Sequence, residues 1–301
     1  MKSNGALLYG VSIGILGIML FSSKAVLVKL IYNYEVSALD ALFFRMLFSF
    51  PMYLAILFIY RNKKQPAPAT TKEYVWVIAF GVVGYYLASL FDFIGLTYIK
   101  ASLERIILFL YPTIVLLMNS VFLKTKIETK QLLAIGITYI GIIIAFGQEV
   151  QFSGTNTYIG GAFVLLSAIT YASYLVGSGW LIPKFGVVKF TAYVMLISCV
   201  CVFIHYGIAG SFELFNFPWQ VYVLGFLIAC IATVIPSFLV SESIKRISSS
   251  NFAIIAAIGP ISTIILAVIF LGETLTLLQY FGSLIVILGI VFINLKKRKK
   301  D

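Results

Sequence analysis

Residues 100–146 read KASLERIILFLYPTIVLLMNSVFLKTKIETKQLLAIGITYIGIIIAF, two apolar runs joined by a lysine-rich hinge. The chain returns to this pattern 148 positions later, in residues 248–294, SSSNFAIIAAIGPISTIILAVIFLGETLTLLQYFGSLIVILGIVFIN. The two stretches align without a gap, pairing Pro112 with Pro260, Leu123 with Leu271, Gln131 with Gln279 and Gly141 with Gly289. Identities are few, but a proline, a hinge and a late glycine at one offset exceed what composition alone supplies. Self-similarity at a fixed offset marks a structural unit used more than once. The expected organisation is one unit over residues 1–147 and a second over residues 158–295.

Hydrophobic residues make up 61% of the 301 positions and charged residues 11%, with a mean hydropathy of +1.04. Soluble globular chains are less apolar and more charged. The charges are clumped, leaving apolar runs of about 18–23 residues, the length that crosses a hydrocarbon core of about 30 Å. These runs lack the polar–apolar alternation of barrel strands, so backbone hydrogen bonding in lipid requires helices. The fold class is all-α integral membrane. Ten spans are expected, at 6–30, 38–60, 74–98, 101–122, 129–147, 158–181, 188–207, 218–241, 250–271 and 277–295.

A net charge of +11 in a soluble chain would suggest nucleic acid. Here its distribution has a simpler cause, because lysine and arginine retained in short loops orient membrane spans. The side holding the N-terminus collects Lys2, the bases of 61–72, Lys124, Lys126 and Lys130. It continues with Lys184, Lys189, Lys245, Arg246 and the tail 296–300. The other side keeps Lys100, with Lys29 and Arg105 near its boundary. Both termini are therefore expected in the cytoplasm, and no nucleic-acid partner is expected. Five spans per unit is an odd number, so the second unit would enter the membrane from the side opposite to the first. Inverted repeats of this kind build many secondary transporters, with the substrate site at the repeat interface.

Residues 61–72 (RNKKQPAPATTK) read as a cytoplasmic linker, and 148–157, with Glu149 and no base, as an outer junction. Cys199, Cys201 and Cys230 fall inside apolar spans and form no CxxC pair, so they read as packing residues. No charged leader with a small-residue cleavage site opens the chain, so the first run is expected to remain as a span.

Ionisable groups are costly inside a membrane, and those that persist are candidates for function. The first unit has Lys24, Arg45, Asp92, Glu104 and Arg105. The second has no counterpart to the carboxylates, since Asp92 aligns with Val240 and Glu104 with Phe252. Charge on one unit only implies an asymmetric cavity suited to a polar or zwitterionic solute, with proton coupling through a carboxylate. Tyr85, Ser89 and Asp92 share one helical face, as do Glu104 and Tyr111. Ser167, Tyr171, Tyr174 and Ser178 form a third stripe, with Trp180 beyond it. Such stripes face a wet cavity or a neighbouring helix. Two plainer readings stand beside these: Arg45 pairs with Asp92 or Glu104, and the tyrosines pack or anchor at the interface. Pro112, Pro236 and Pro260 lie within spans and are hinge candidates or ordinary kinks.

No enzyme pattern is present. The lone His205 offers no nucleophile pairing, and HExxH, Walker and dinucleotide loops are absent. Neither SLFDFIG around Asp92 nor SLERIIL around Glu104 matches an intramembrane aspartyl protease. No cofactor and no metal are expected. A channel would show a symmetric ring of ligands, and a receptor or scaffold would show larger loops.

These residues carry a resemblance. The chain resembles the drug/metabolite transporter superfamily, specifically the EamA-type ten-helix transporters made of two EamA repeats. The resemblance rests on Arg45 in DALFFRMLFSF and on the passage GLTYIKASLERIILFLYPTIVLL. It rests also on Gly259–Pro260 and on the LGE of residues 271–273. The first unit departs from that pattern, with Lys124–Thr125 in place of Gly-Glu and with Glu104–Arg105 where small or apolar residues are usual. What the resemblance implies is an ATP-independent exporter or exchanger in the cytoplasmic membrane, with a central cavity between the repeats. Its substrate would be a small molecule, first an amino acid or related metabolite. A toxic cation ranks second, and nucleotide sugars or lipids are the remaining alternatives. The assembly expected is a monomer or homodimer in the lipid bilayer.

Overall fold

The computed structural model describes residues 4–63, 65–146, 156–256, 258–272 and 276–294. Lys2, Lys64, the 148–155 junction, Glu273 and the 296–300 tail lie outside the described residues. The described residues form helices and short connections, with no strand among them.

The first half holds α1 (Asn4–Tyr32), α2 (Ala38–Ile59), α3 (Thr71–Tyr98), α4 (Ala101–Leu108), α5 (Tyr111–Phe122) and α6 (Thr129–Phe146). The second holds α7 (Asn156–Phe185), α8 (Val187–Ala209), α9 (Trp219–Ile247), α10 (Ser249–Ile255), α11 (Ile258–Leu271) and α12 (Leu277–Asn294). Seven helical stretches among the described residues are long and apolar enough to cross a membrane, α10 and α11 counting as one.

Helix ends follow local chemistry. Ser37 caps α2 by accepting from the Asp40 amide at 3.1 Å. Thr70 and Glu73 form a capping box at the start of α3. Within the expected fourth span the helix breaks at Phe109–Leu110, and Pro112 sits in the first turn of α5. Proline lacks the N–H that a continuous helix would need there, so it starts a half-helix rather than kinking one. Pro260 occupies the first turn of α11, and Pro236 follows a π-helical segment in α9.

The offset of 148 recurs in the elements. It carries the bounds of α6 onto those of α12, and α3 onto α9 to within a residue. Both α3 and α9 widen into π-helix at matching places, Phe80–Leu87 and Cys230–Val234. Helix pairing repeats in the same way: α1 packs on α9 and α11, as α7 packs on α3 and α5. The partners α2 with α8 and α6 with α12 pair with each other. Glycines permit the closest approach. A Cβ on Gly95 would lie 2.6 Å from Val164 Cγ2, and one on Gly160 would lie 2.8 Å from Tyr98 Cβ.

Candidate functional site

α1, α3 and α4 bring four charges together in the interior. Lys24 Nζ donates to Asp92 Oδ2, and Glu104 Oε1 stands 3.8 Å from the same ammonium. Arg105 Nε lies 3.1 Å from Glu104 Oε2, and its Nη2 donates to the Phe21 carbonyl at 3.4 Å. All four side chains are buried. Two cations against two carboxylates make the cluster neutral when all are ionised. Phe21, one turn before Lys24 on α1, lies under both cations, 5.1 Å from Lys24 Nζ and 5.9 Å from Arg105 Cζ. Phe21 was not among the sequence candidates; its signal is the i, i+3 spacing to Lys24.

Arg45 stands apart from this cluster, which corrects the expectation that it pairs with Asp92 or Glu104. Its Nε donates to Thr233 Oγ1 at 2.7 Å and its Nη1 to Ser89 Oγ at 3.0 Å. The guanidinium lies 5.8 Å from the Tyr85 ring and 5.6 Å from the Phe93 ring. Tyr85 and Thr233 are separated by the repeat offset and occupy the two π-helical segments. Arg45 therefore ties one widened helix to its counterpart, and the offset itself was the signal that would have found Thr233. Widening also frees carbonyls: Thr233 Oγ1 donates five residues back to Ile228 at 2.8 Å. Thr233→Val would leave the guanidinium without its Nε acceptor, at a cost of about 1.5–3 kcal/mol. The loss should appear in thermal unfolding of the purified protein and be largely restored by Thr233→Ser.

A narrow cavity of about 30 Å³ lies between the halves, lined by Phe21, Arg105, Tyr111, Tyr171, Phe252 and Pro260 among others. A second pocket of about 20 Å³ is lined by Lys24, Tyr85, Ser89, Ser167 and Tyr171. The two share Phe21, Leu108 and Tyr171 in their walls. Tyr171 stacks on Phe21 at 5.9 Å and meets Tyr111 edge-on at 5.5 Å. Of the remaining candidates, Tyr174 lies behind this ring group, its hydroxyl 3.4 Å from Ser241 Oγ. Ser178 bonds back to the Tyr174 carbonyl within α7, and Trp180 packs against Trp76 away from both cavities.

A larger cavity of about 460 Å³ opens at the end of the bundle that carries the α5–α6 connection. Asn119 donates there to Ser249 and Ser250, and Gln131 to Asn251. Phe252, one turn beyond Ser249 on α10, faces the small cavity instead. Asn119 was missed as a candidate, though a buried amide in an apolar helix is a visible signal.

Among the described residues no cluster of His, Cys, Asp and Glu could hold a metal ion.

Comparison with known proteins identifies the family. The pattern of the EamA-like transporter family matches residues 8–147 and again 158–295. The uncharacterized transporter YcbK of Bacillus subtilis (strain 168) is 33% identical over 296 residues, 95% of this chain and 94% of that protein. The uncharacterized inner membrane transporter YicL of Salmonella typhimurium is 21% identical over 258 residues, 85% of each chain. A solved crystal structure at 14% identity superposes with a TM-score of 0.76 over 95% of this chain and 98% of its own, a likeness of fold. Matched in both halves and aligned nearly end to end with a relative, this multi-pass membrane chain belongs to the EamA-like transporter family.

Proposed function

We propose that the protein is a secondary transporter that exports amino acids or related small metabolites across the cytoplasmic membrane by alternating access. The observation that carries this reading is the buried Lys24–Asp92–Glu104–Arg105 cluster at a cavity between the two halves. Four charges held out of water in a bundle are costly and need a role beyond packing.

In this reading α4 with α5, and α10 with α11, each act as one span, giving ten in two inverted five-span units. The positive-inside bias then puts both termini in the cytoplasm. The larger cavity beside Asn119 faces the cytoplasm, and the charge cluster closes the path on the opposite side. Asp92 and Glu104 take up protons from outside, which loosens their hold on Lys24 and Arg105. The tyrosines at 111 and 171 stack on the solute, and the first turns of α5 and α11, at Pro112 and Pro260, move as gates.

The test is efflux of radiolabelled amino acids from liposomes holding the purified protein, with and without an inward proton gradient. Gradient-driven efflux is expected in the wild type, with at least a tenfold loss in Glu104→Gln. Efflux indifferent to both the gradient and the substitution would remove the carboxylates from the mechanism. No movement of any amino acid would overturn the substrate class.

A further inference from the structure

Of the three cavities described above, one has room for a metabolite. The two beside the charge cluster, at about 30 and 20 Å³, admit a water or two. The third, about 460 Å³, falls within the range of small-molecule sites, roughly 300–1,000 Å³. Its wall joins the two halves, with Asn119, Gln131 and the α5–α6 connection on one side and Gly179 and residues 248–251 on the other. Polar groups at the end of a bundle are ordinary when they are exposed, but Asn119 is 2% exposed and Ser249 4%. Asn119 Nδ2 donates to Ser249 Oγ at 3.1 Å and to Ser250 Oγ at 2.9 Å, and its Oδ1 has no partner in the protein. Turning the amide over exchanges the unmatched end without removing it. A buried amide end left unmatched is costly, and an occupant that bonds to it recovers the loss. Asn251 Oδ1, which accepts from Gln131 Nε2 at 3.2 Å, continues the row.

The repeat supplies an internal control. α4 packs on α11 as α10 packs on α5. At the offset of 148, Asn119, Ser249 and Asn251 correspond to Ala267, Ala101 and Leu103, all three buried. Joining the two halves at such a place therefore needs no amide and no hydroxyl, and the polar set beside the larger cavity answers to something other than packing. The charged residues in that wall are Lys126, Glu128 and Lys130, of both signs, with Lys126 and Glu128 exposed.

We infer that the cavity of about 460 Å³ is a binding site for a hydrophilic zwitterion, an amino acid whose side chain carries an amide or a hydroxyl. That side chain exchanges hydrogen bonds with Asn119, Ser249 and Ser250, and the charged ends meet Lys126 and Glu128 at the lip. An apolar side chain of the same length would leave the wall unpaired, which is how a hydrogen-bonding site rejects an analogue that lacks the polar group. That the occupant is cargo rests on the transporter reading; the site itself rests on the cavity and its wall.

Three probes separate these features: L-glutamine, L-methionine, which is about as long but apolar at its end, and erythritol, a polyol without charge. Binding to the full chain in nanodiscs is followed by calorimetry, for wild type, Asn119→Leu and Ser250→Ala. Glutamine is expected to bind at least tenfold tighter than methionine or erythritol. Asn119→Leu should abolish the preference over methionine, and Ser250→Ala, at a half-buried position, should weaken glutamine about threefold. A second measurement needs no change at Asn119. A water-soluble maleimide should label a Ser250→Cys protein, and glutamine should slow that labelling at least fivefold where methionine does not. Wild type, with Cys199, Cys201 and Cys230, gives the background. Equal binding of glutamine and methionine, erythritol binding as tight as glutamine, or no protection by glutamine at tens of millimolar would overturn the inference. So would an Asn119→Leu protein that melts like wild type and keeps full glutamine affinity. Binding and protection without solute movement in liposomes would leave the site standing and remove the transporter reading. Glutamine efflux without protection would do the reverse.

Discussion

Asp92→Asn is expected to destabilise the protein by about 3–5 kcal/mol, because it strands the Lys24 ammonium in the interior. In the native chain that ammonium has Asp92 in direct contact, Glu104 3.8 Å away and an aromatic face at 5.1 Å. Removing Asp92 leaves the weaker two, and water does not reach a side chain 4% exposed. Removing both charges is a different matter. A buried ion pair replaced by groups of similar volume is often neutral in stability or better. Lys24→Met combined with Asp92→Asn should therefore melt close to wild type, although each single change costs several kcal/mol. A coupling of that size is read directly from a double-mutant cycle. Transport should stay lost in the double variant, which separates what the pair does for the fold from what it does in the cycle. Additive losses would show that Lys24 and Asp92 do not act as a pair.

Gly84→Val is expected to lower the yield of folded protein sharply. A Cβ at position 84 would lie 2.6 Å from Tyr174 Cβ and 3.1 Å from both the Cα and the amide nitrogen of Tyr174. Two of those three atoms are backbone, so no rotamer relieves the overlap and α3 must move away from α7. Overpacking a well-filled interior costs about 1–3 kcal/mol, occasionally more. Here the displaced helix also carries the π-helical segment that holds Tyr85 over Arg45. Gly136→Ala on α6 is the matched control, since nothing lies within 4 Å of its added Cβ. It should be neutral, or stabilising by up to about 1 kcal/mol. Melting temperature and size-exclusion yield in detergent, compared for the two variants, check both statements.

Much of the helical layout was readable before any coordinates. Apolar runs bounded by charge put α6 at 129–147 and α12 at 277–295, and the structure has Thr129–Phe146 and Leu277–Asn294. Expected spans four and nine were read as continuous, and each is two helices, because backbone breaks near 109 and 256 leave the hydropathy unchanged. Proline marked one side of each break but not its character. The π-helical segments had no residue signature at all; they are a change in hydrogen-bond register, set by the packing of α3 and α9 against neighbours. Among the candidates, Tyr85 and Ser89 lie in the wall of a small cavity, whereas Trp180 packs against Trp76. Helical spacing shows which residues share a face, and says nothing of what that face meets.

By itself the sequence determined the lipid environment, the helical class, the duplicated unit and the short set of polar groups held inside it. Those follow from composition and period, because lipid forbids unpaired backbone and makes each intramembrane charge visible against an apolar background. Only the tertiary structure decided the partners: Lys24, not Arg45, meets Asp92, and Arg45 meets Thr233 from the other half. Those contacts join residues 68 and 188 positions apart. Which charges cancel depends on how helices cross, through glycines such as Gly84 and Gly95, and that is a property of the packed whole.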